Sequence, residues 1–393
     1  VVIPPFLLSN LPRIRFGAGS FAEVGETASQ FGRGFLILTS GHFGKAGHYW
    51  GILQEDFSKR GLRFVHSTVT GEPSPDLVDK LAAEFRDQGV DAVIAIGGGS
   101  VIDAGKAVSA MLPKEESVLK FLEGVGNQVH DGSKVPFIAV PTTAGTGSEA
   151  TKNAVLGRVG PEGFKKSLRH DRFVPDVAII DPELMLTCPF AVSAACGMDA
   201  LTQLLESYVS TNASLFTDAL AWSGLEALSG SLLRVCLTDP WDVGARAGMA
   251  YAALMSGITL ANAGLGIVHG LAGPLGGHIA MPHGAICGTL VAEATSLNLK
   301  KLEETPDDGN PFLRKYAQVG YLLAGRAGSD INRGCDLLVQ KLEEWTETLA
   351  MPRLGTFGML PSDISLIAEQ TGSRNNPVNL SKQEIEGILA SRI

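Results

Sequence analysis

Four side chains have types and spacing that would suit a metal. Asp199 and Gln203 stand four residues apart in Gly197-Met198-Asp199-Ala200-Leu201-Thr202-Gln203, and His269 and His283 follow in NAGLGIVHG and MPHG. An i, i+4 pair shares one helix face. Oxygen donors from Asp199 and Gln203 joined by two imidazoles suit a borderline divalent ion, iron or zinc. The two histidines are fourteen residues apart, so the set converges only through tertiary structure. Each residue also has a plainer reading. His269 could be a hydrogen-bonded core histidine in a Gly/Ala-rich packing stretch, Asp199 a cap or ion-pair partner, and Gln203 a structural amide. His283 lies at a constrained turn between Pro282 and Gly284, and a carboxylate buried among Gly, Met and Ala needs a partner. His278, Cys196 and Cys287 share the region without an evident nucleophile-base pairing, and ordinary packing is expected of both cysteines.

Two further segments could hold phosphate. The apolar run DAVIAIGGGS ends at Gly97, Gly98, Gly99 and Ser100, after which a helix-like pattern resumes. Glycines at a strand-to-helix turn let the backbone approach a ligand, and the helix-start amides and dipole favour an anion. The GxGxxG fingerprint and the Lys-containing P-loop are both absent, so a tight packing turn is the competing reading. The second segment, Pro141-Thr142-Thr143-Ala144-Gly145-Thr146-Gly147-Ser148-Glu149, follows the strand-like FIAV. Its hydroxyls and amides can hold phosphate or sugar. Two such segments after neighbouring strands favour a dinucleotide over a single phosphate.

These residues must be positioned by regular elements. Val/Ile-rich runs predict strands at 14–16, 34–39, 62–67, 92–96, 136–140 and 177–180, with helical periodicity at 43–60, 75–88 and 100–112. This is the pattern of an α/β layered, Rossmann-like domain with a mostly parallel sheet. After Asp181 the chain turns Ala/Leu/Met-rich, with helices expected near 191–209, 213–236, 241–263 and 285–297. A polar turn is expected at 303–311, an interrupted connection at 353–363, and a capped helix beginning near Asn379 or Ser381. The division expected is 1–185 as an α/β dinucleotide-binding domain and 186–393 as an all-α metal and substrate domain.

Composition narrows the function classes. The 393 residues are 45% hydrophobic and 19% charged, enough for a substantial core and two large domains. A net charge of -9 argues against nucleic acid or an anionic membrane as partner. The five dispersed cysteines form no CxxC pair, so a reducing, cytoplasmic setting is expected. No apolar run of about 18 residues suggests a membrane span.

In order along the chain, FGAGS, GGGSVIDAGKAV, PTTAGTGSEAT, PDVAIIDPEL, GMDALTQ and HGLAGPLGGHIAMPHG resemble the iron-containing, group III alcohol dehydrogenase family, within the dehydroquinate-synthase-like fold. The resemblance implies hydride exchange between an alcohol and an aldehyde or ketone, with NAD or NADP in the cleft, Fe2+ or Zn2+ as the metal, and a homodimer. Carried over, Gly98, Gly99 and Ser100 would bind the diphosphate, while Thr142 and Thr143 would line the nucleotide site with Ser148 nearby. Lys165 would help organise the cleft, and Asp199, His269 and His283 would be metal ligands. The chain departs from the family at Gln203, where the family usually has a fourth, histidine ligand. Gln203 could coordinate through oxygen. A second departure is Gly273, where many relatives have a histidine near the nicotinamide. A third follows the strand ending at Thr39: Ser40-Gly41-His42 stands where NAD-preferring relatives often have an acidic residue, which leans the expectation slightly to NADP. The competing readings are a metal-independent oxoacid reductase resembling maleylacetate reductases and a catalytically silent nucleotide-binding protein.

Overall fold

The computed structural model describes residues 3–41, 43, 47–160, 162–304, 310–373 and 375–393. His42 and most of the polar turn expected at 303–311 lie outside them. In the first half run β1 (Arg13–Phe16), β2 (Gly34–Ser40), β3 (Arg63–Val69), β4 (Ala92–Gly97), β5 (Phe137–Pro141), β6 (Asn153–Arg158), β7 (Phe164–Arg169) and β8 (Val177–Ile180). Between them lie α1 (Val24–Ser29), α2 (His48–Lys59), α3 (Pro75–Phe85) and α4 (Gly99–Met111). All six runs read as strands form one parallel sheet in the order β1-β8-β5-β4-β2-β3. The inner strands β2, β4, β5 and β8 are near-continuously apolar because both faces are covered, whereas β1 at one edge is exposed and β3 at the other only partly covered. Leu36, Leu38, Val93, Ala95, Phe137 and Ala139 pack with α4, while Phe35, Ile37, Ile94, Ile96, Ile138 and Val140 pack with α1 and α2. The chain adds β3 on one side of β2 and then β4 and β5 on the other, so the winding reverses between β2 and β4. In such sheets the crevice beyond the carboxyl ends at the reversal is the ligand position.

The antiparallel hairpin β6–β7 was not expected from sequence. Its inward residues Ala154, Leu156 and Leu168 join the core on the α4 side of the sheet.

The second half is helical: α5 (Phe190–Tyr208), α6 (Leu215–Ser229), α7 (Val243–Ala263), α8 (Ile267–His278), α9 (His283–Glu303), α10 (Pro311–Leu323), α11 (Ile331–Thr348), α12 (Ile364–Gln370) and α13 (Lys382–Ser391). Helix α13 starts at a Ser381 capping box, and α6 at one on Ser214. The helix expected at 213–236 ends at Ser229, and α8, α10, α11 and α12 are additional to the expected set. Two apolar clusters fill this half, one uniting α5, α6, α7, α10 and α11, the other α8, α9, α12 and α13. Among the described residues, no single helix is long and apolar enough to cross a membrane.

Candidate metal and nucleotide centre

Asp199 lies in the middle of α5, His269 in the first turn of α8 and His283 at the first position of α9. Gly284 sets the approach of α9 to α5. A Cβ there would fall 2.3 Å from the Ala195 carbonyl and 3.2 Å from Asp199 Cβ, so only glycine lets the start of α9 come close enough to bring His283 to Asp199. His269 Nε2 is 3.4 Å from Asp199 Oδ1, and His283 Nε2 is 3.9 Å from the same oxygen. Cys287, one turn beyond His283 on α9, points its Sγ into this group, 3.6 Å from His269 Nε2 and 3.9 Å from His283 Nε2. One donor atom from each of Asp199, His269, His283 and Cys287 lies within 4.8 Å of the others. The expectation that Cys287 only packs is therefore corrected. It is buried, but its sulfur faces three groups that could hold a metal.

Glu206 supports the cluster from behind. Its Oε2 is 2.7 Å from His269 Nδ1, and its Oε1 accepts the Val268 amide at 2.7 Å. A carboxylate on the far nitrogen fixes the imidazole's orientation and aims Nε2 at the centre. Burial opposes a charge on His269, but Cys287, Asp199 and Glu206 outweigh it and hold its pKa well above the ordinary value. Burial pushes His283 down to about 3, with Lys165 and His269 adding repulsion, and pushes the Cys287 thiol up to about 12. Asp199 Oδ1 is buried with no hydrogen-bond partner, as is His283 Nδ1. Leaving a buried acceptor unmet costs about 1–3 kcal/mol, more when it is charged. An unmet carboxylate oxygen facing two imidazole nitrogens and a thiol fits a divalent cation.

Gln203 lies one turn after Asp199 on α5, and its amide end meets another hydroxyl. The Ser256 Oγ–H has Gln203 Oε1 at 2.8 Å and the Gly145 carbonyl at 3.3 Å as acceptors. Lys165, on β7, pairs with Glu72 at 2.6 Å and lies along α8 at Gly276, where a Cβ would come 2.9 Å from its Cδ. It thus ties the hairpin to the helix that carries His269. Gly273, also on α8, faces open space: a Cβ there would meet nothing within 4 Å.

The phosphate segments follow β4 and β5, the two strands on one side of the reversal of the sheet. Gly98 is the N-cap of α4, no side chain caps it, and Gly99 and Ser100 open the helix. The amides of its first turn are therefore free of side-chain caps at the carboxyl end of β4, an anion position. Ser40 ends β2 across the reversal, beside Thr39, whose hydroxyl is 2.9 Å from His66 Nε2. The Thr142 amide donates to Gly97 O at 2.9 Å, joining the two loops, and a Cβ on Gly98 would lie 3.2 Å from Thr143 Oγ1. Ser148 is turned inward. Its hydroxyl donates to the Asp103 carboxylate and its carbonyl accepts from Lys106 Nζ, so it braces the loop from below. Gly145 packs directly on Cys196 of α5, three residues before Asp199: a Cβ on it would fall 2.8 Å from the Cys196 Cβ. The loop from Pro141 to Ser148 therefore packs on α5 one helical turn from Asp199.

Cys287, Glu206, Asp103 and Lys106 were not read from sequence. Cys287 follows His283 by four and Glu206 follows Asp199 by seven, both spacings that share a helix face, so periodicity carried a signal for each.

Comparison with known proteins gives a consistent result. Residues 12–182 match the family model described as iron-containing alcohol dehydrogenase, and 193–393 match its C-terminal counterpart, Fe-containing alcohol dehydrogenase family, C-terminal. The chain is 32% identical over 383 residues to the probable alcohol dehydrogenase EutG of Escherichia coli (strain K12), covering 95% of this chain and 91% of that protein. It is 30% identical to the NAD-dependent methanol dehydrogenase of Bacillus methanolicus over 97% of this chain and 98% of the relative. The crystal structure of a 1,3-propanediol oxidoreductase superposes with a TM-score of 0.87 at 29% identity, covering 99% of this chain and all of the other.

Proposed function

The chain belongs to the iron-containing alcohol dehydrogenase family, and from that premise we propose how its own residues carry hydride exchange between an alcohol and its aldehyde or ketone. Asp199, His269 and His283 would hold a divalent metal, Fe2+ or Zn2+. Such an ion acts as a Lewis acid toward an alcohol or carbonyl oxygen, and a nicotinamide dinucleotide supplies or accepts the hydride. The observation that carries the reading is the close packing of Gly145 on Cys196, which sets the loop after β5 beside the helix turn of Asp199.

In this reading the uncapped start of α4, at Gly98, Gly99 and Ser100, holds the diphosphate, and Thr142 and Thr143 line the site above it. Glu206 keeps His269 oriented. Lys165 holds the hairpin against α8 and, with Glu72, closes that side of the cleft. Gly273 offers no proton acceptor, so the substrate proton leaves through water or through a substrate or cofactor hydroxyl. Ser40, uncharged at the end of β2, leaves the 2′-phosphate of NADP unrepelled, and we read NADP as the slightly preferred nucleotide.

The domain division at 185 and 186 belongs to the same proposal, supported by family models that match on either side of it. A homodimer is supported by the edge strand β1, exposed along its whole length with Ile14 and Phe16 outward and Leu7, Leu8 and Leu11 nearby in the chain. Sedimentation velocity at micromolar protein tests it, a monomer being the contrary result. Five free cysteines suit a reducing, cytoplasmic setting.

The test of activity is anaerobic reconstitution of the purified chain with Fe2+ or Zn2+, followed by reduction of NAD and NADP with a series of small primary alcohols. Turnover should require the metal, and Asp199→Ala should lose both metal and turnover. Undiminished carbonyl reduction by exhaustively demetallated protein would instead establish the metal-independent reading.

A further inference from the structure

Where the family usually places a histidine at position 203, this chain has an amide, and that amide is engaged by Ser256 Oγ. The vacated coordination position raises the question of which other donor reaches the centre. The structure answers with sulfur. Cys287 Sγ lies 3.6 Å from His269 Nε2 and 3.9 Å from His283 Nε2, and it shares the 4.8 Å cluster with Asp199.

These separations can be compared with what a single ion requires. With metal–nitrogen bonds of about 2.0–2.1 Å and a metal–sulfur bond of about 2.3 Å, tetrahedral angles place N and S about 3.5 Å apart and N and O about 3.3 Å apart. The nitrogen–sulfur distances lie at or a few tenths of an ångström above the first value. Of the two nitrogen–oxygen distances, His269 Nε2 to Asp199 Oδ1 at 3.4 Å matches the second value, and His283 Nε2 to the same oxygen at 3.9 Å exceeds it by about 0.6 Å. An S–H···N hydrogen bond spans the same distances, so the ligand reading is carried by the convergence of all four donors rather than by the sulfur contacts alone. An independent observation points to the same centre: the Asp199 side chain is 1% exposed, and its Oδ1 has no hydrogen-bond partner.

We propose that Cys287 Sγ, as a thiolate, is the fourth protein ligand, so that this enzyme carries an Asp199-His269-His283-Cys287 site suited to zinc rather than iron. The inference rests on the metal reading above and specifies its donor set. Binding exchanges the S–H bond for a metal–sulfur bond, releases the proton to solvent and leaves every oxidation state unchanged. A carboxylate and a thiolate together neutralise the dication, and the softer sulfur donor moves preference toward zinc. His283 and Cys287 are one turn apart on α9, so a single face of that helix presents both donors.

Cobalt reports on sulfur ligation directly. The full-length apoprotein, prepared by chelator dialysis, is titrated anaerobically with Co2+ while visible and near-ultraviolet absorption are recorded. One cobalt per chain, with visible ligand-field bands and a near-ultraviolet sulfur-to-cobalt charge-transfer band, is expected. Cys287→Ser should abolish the near-ultraviolet band, keep the visible bands and lower the ratio of zinc to ferrous affinity. Gln203→Ala should retain the charge-transfer band, and far-ultraviolet circular dichroism checks that both variants fold. Stoichiometric cobalt without the band in the wild type would overturn thiolate ligation while leaving Asp199, His269 and His283 as ligands. Persistence of the band in Cys287→Ser would place the sulfur elsewhere and overturn it as well. Failure of the wild type to bind cobalt at all would overturn the underlying metal reading together with the inference.

Discussion

At His269 the two ring nitrogens have different partners, Glu206 behind and the cluster in front. The carboxylate both orients the ring and raises the basicity of Nε2, so its effect on a metal is exerted through the imidazole. Replacing Glu206 with Gln keeps the shape and an acceptor for the Val268 amide but removes the charge. Metal affinity should fall about 10- to 100-fold in Glu206→Gln, measured by competition with a chromophoric chelator; an unchanged affinity would show that the contact is only structural. At this scale the sequence was legible where a residue type is unusual for its surroundings. Asp199 among Gly, Met and Ala, and His283 between Pro and Gly, stood out on that ground. Cys287 did not, because a cysteine in an apolar helix resembles any small core residue, and only tertiary convergence shows what its sulfur faces. Glu206 was hidden for the same reason, since its partners are 62 and 63 residues away in the chain.

Among the elements, the inner strands β2, β4, β5 and β8 were visible because burial on both faces leaves a nearly unbroken apolar run, while the edge strands β1 and β3 carried a weaker signal in Ile14, Phe16, Phe64 and Val65. The hairpin β6–β7 was not, because NAVLGR and FKKSLR bury only alternate residues and the second carries two lysines in succession. Helix α8 contains four glycines and Pro274, a composition that argues against helix by propensity. Tertiary packing overrides it, since Ile267, Val268, Leu271 and Leu275 are buried in one cluster with α9 and α13. The loop from Pro141 to Ser148 has the opposite character, a fixed conformation set by close backbone contact. Gly147 has φ +58°, and a Cβ on it would lie 2.4 Å from the Gly257 amide nitrogen and 2.5 Å from the Ala253 carbonyl, both on α7. Neither neighbour is a side-chain tip that can swing away. Gly147→Ala should therefore destabilise the protein by more than about 1 kcal/mol and weaken nucleotide binding by displacing Thr142 and Thr143. Thermal unfolding and a fluorescence titration with NADPH read the two effects separately. If both stayed at wild-type values, the loop would be adaptable and the close contact with α7 incidental.

Across the whole molecule, a buried charged group ties the nucleotide sheet to the loop and hairpin beside it. Lys106 on α4 donates to the Ser148 carbonyl at 2.8 Å, Thr151 Oγ1 at 3.0 Å and the Asn153 carbonyl at 2.8 Å. All three ammonium protons thus have acceptors, on segments that follow β5. Burial still pushes Lys106 down to about 8, against the pull of Asp103 and Glu149, and pushes Glu149 up to about 7. The two shifts have opposite consequences for stability. Glu149 holds its proton more tightly in the folded chain than at its ordinary value of 4.5, so the folded state binds more protons between about 4.5 and 7, and stability falls as pH rises through that window. Lys106 releases its proton more easily when folded, so its contribution rises with pH between about 8 and its ordinary 10.5. Together they place the least favourable contribution of the pair near pH 7 to 8. Glu149→Gln removes the first of these slopes without emptying the space. Relative to wild type, the variant should gain stability between pH 5 and pH 8 by an amount of order 2–3 kcal/mol, the size expected from a shift of this magnitude. Urea unfolding of both proteins at the two pH values measures it as a difference of differences, in which effects common to the two chains cancel. A wild type and variant that keep the same separation at pH 5 and pH 8 would mean that Glu149 ionises in the folded protein as freely as in the unfolded one, and that the buried network contributes no pH dependence to the fold.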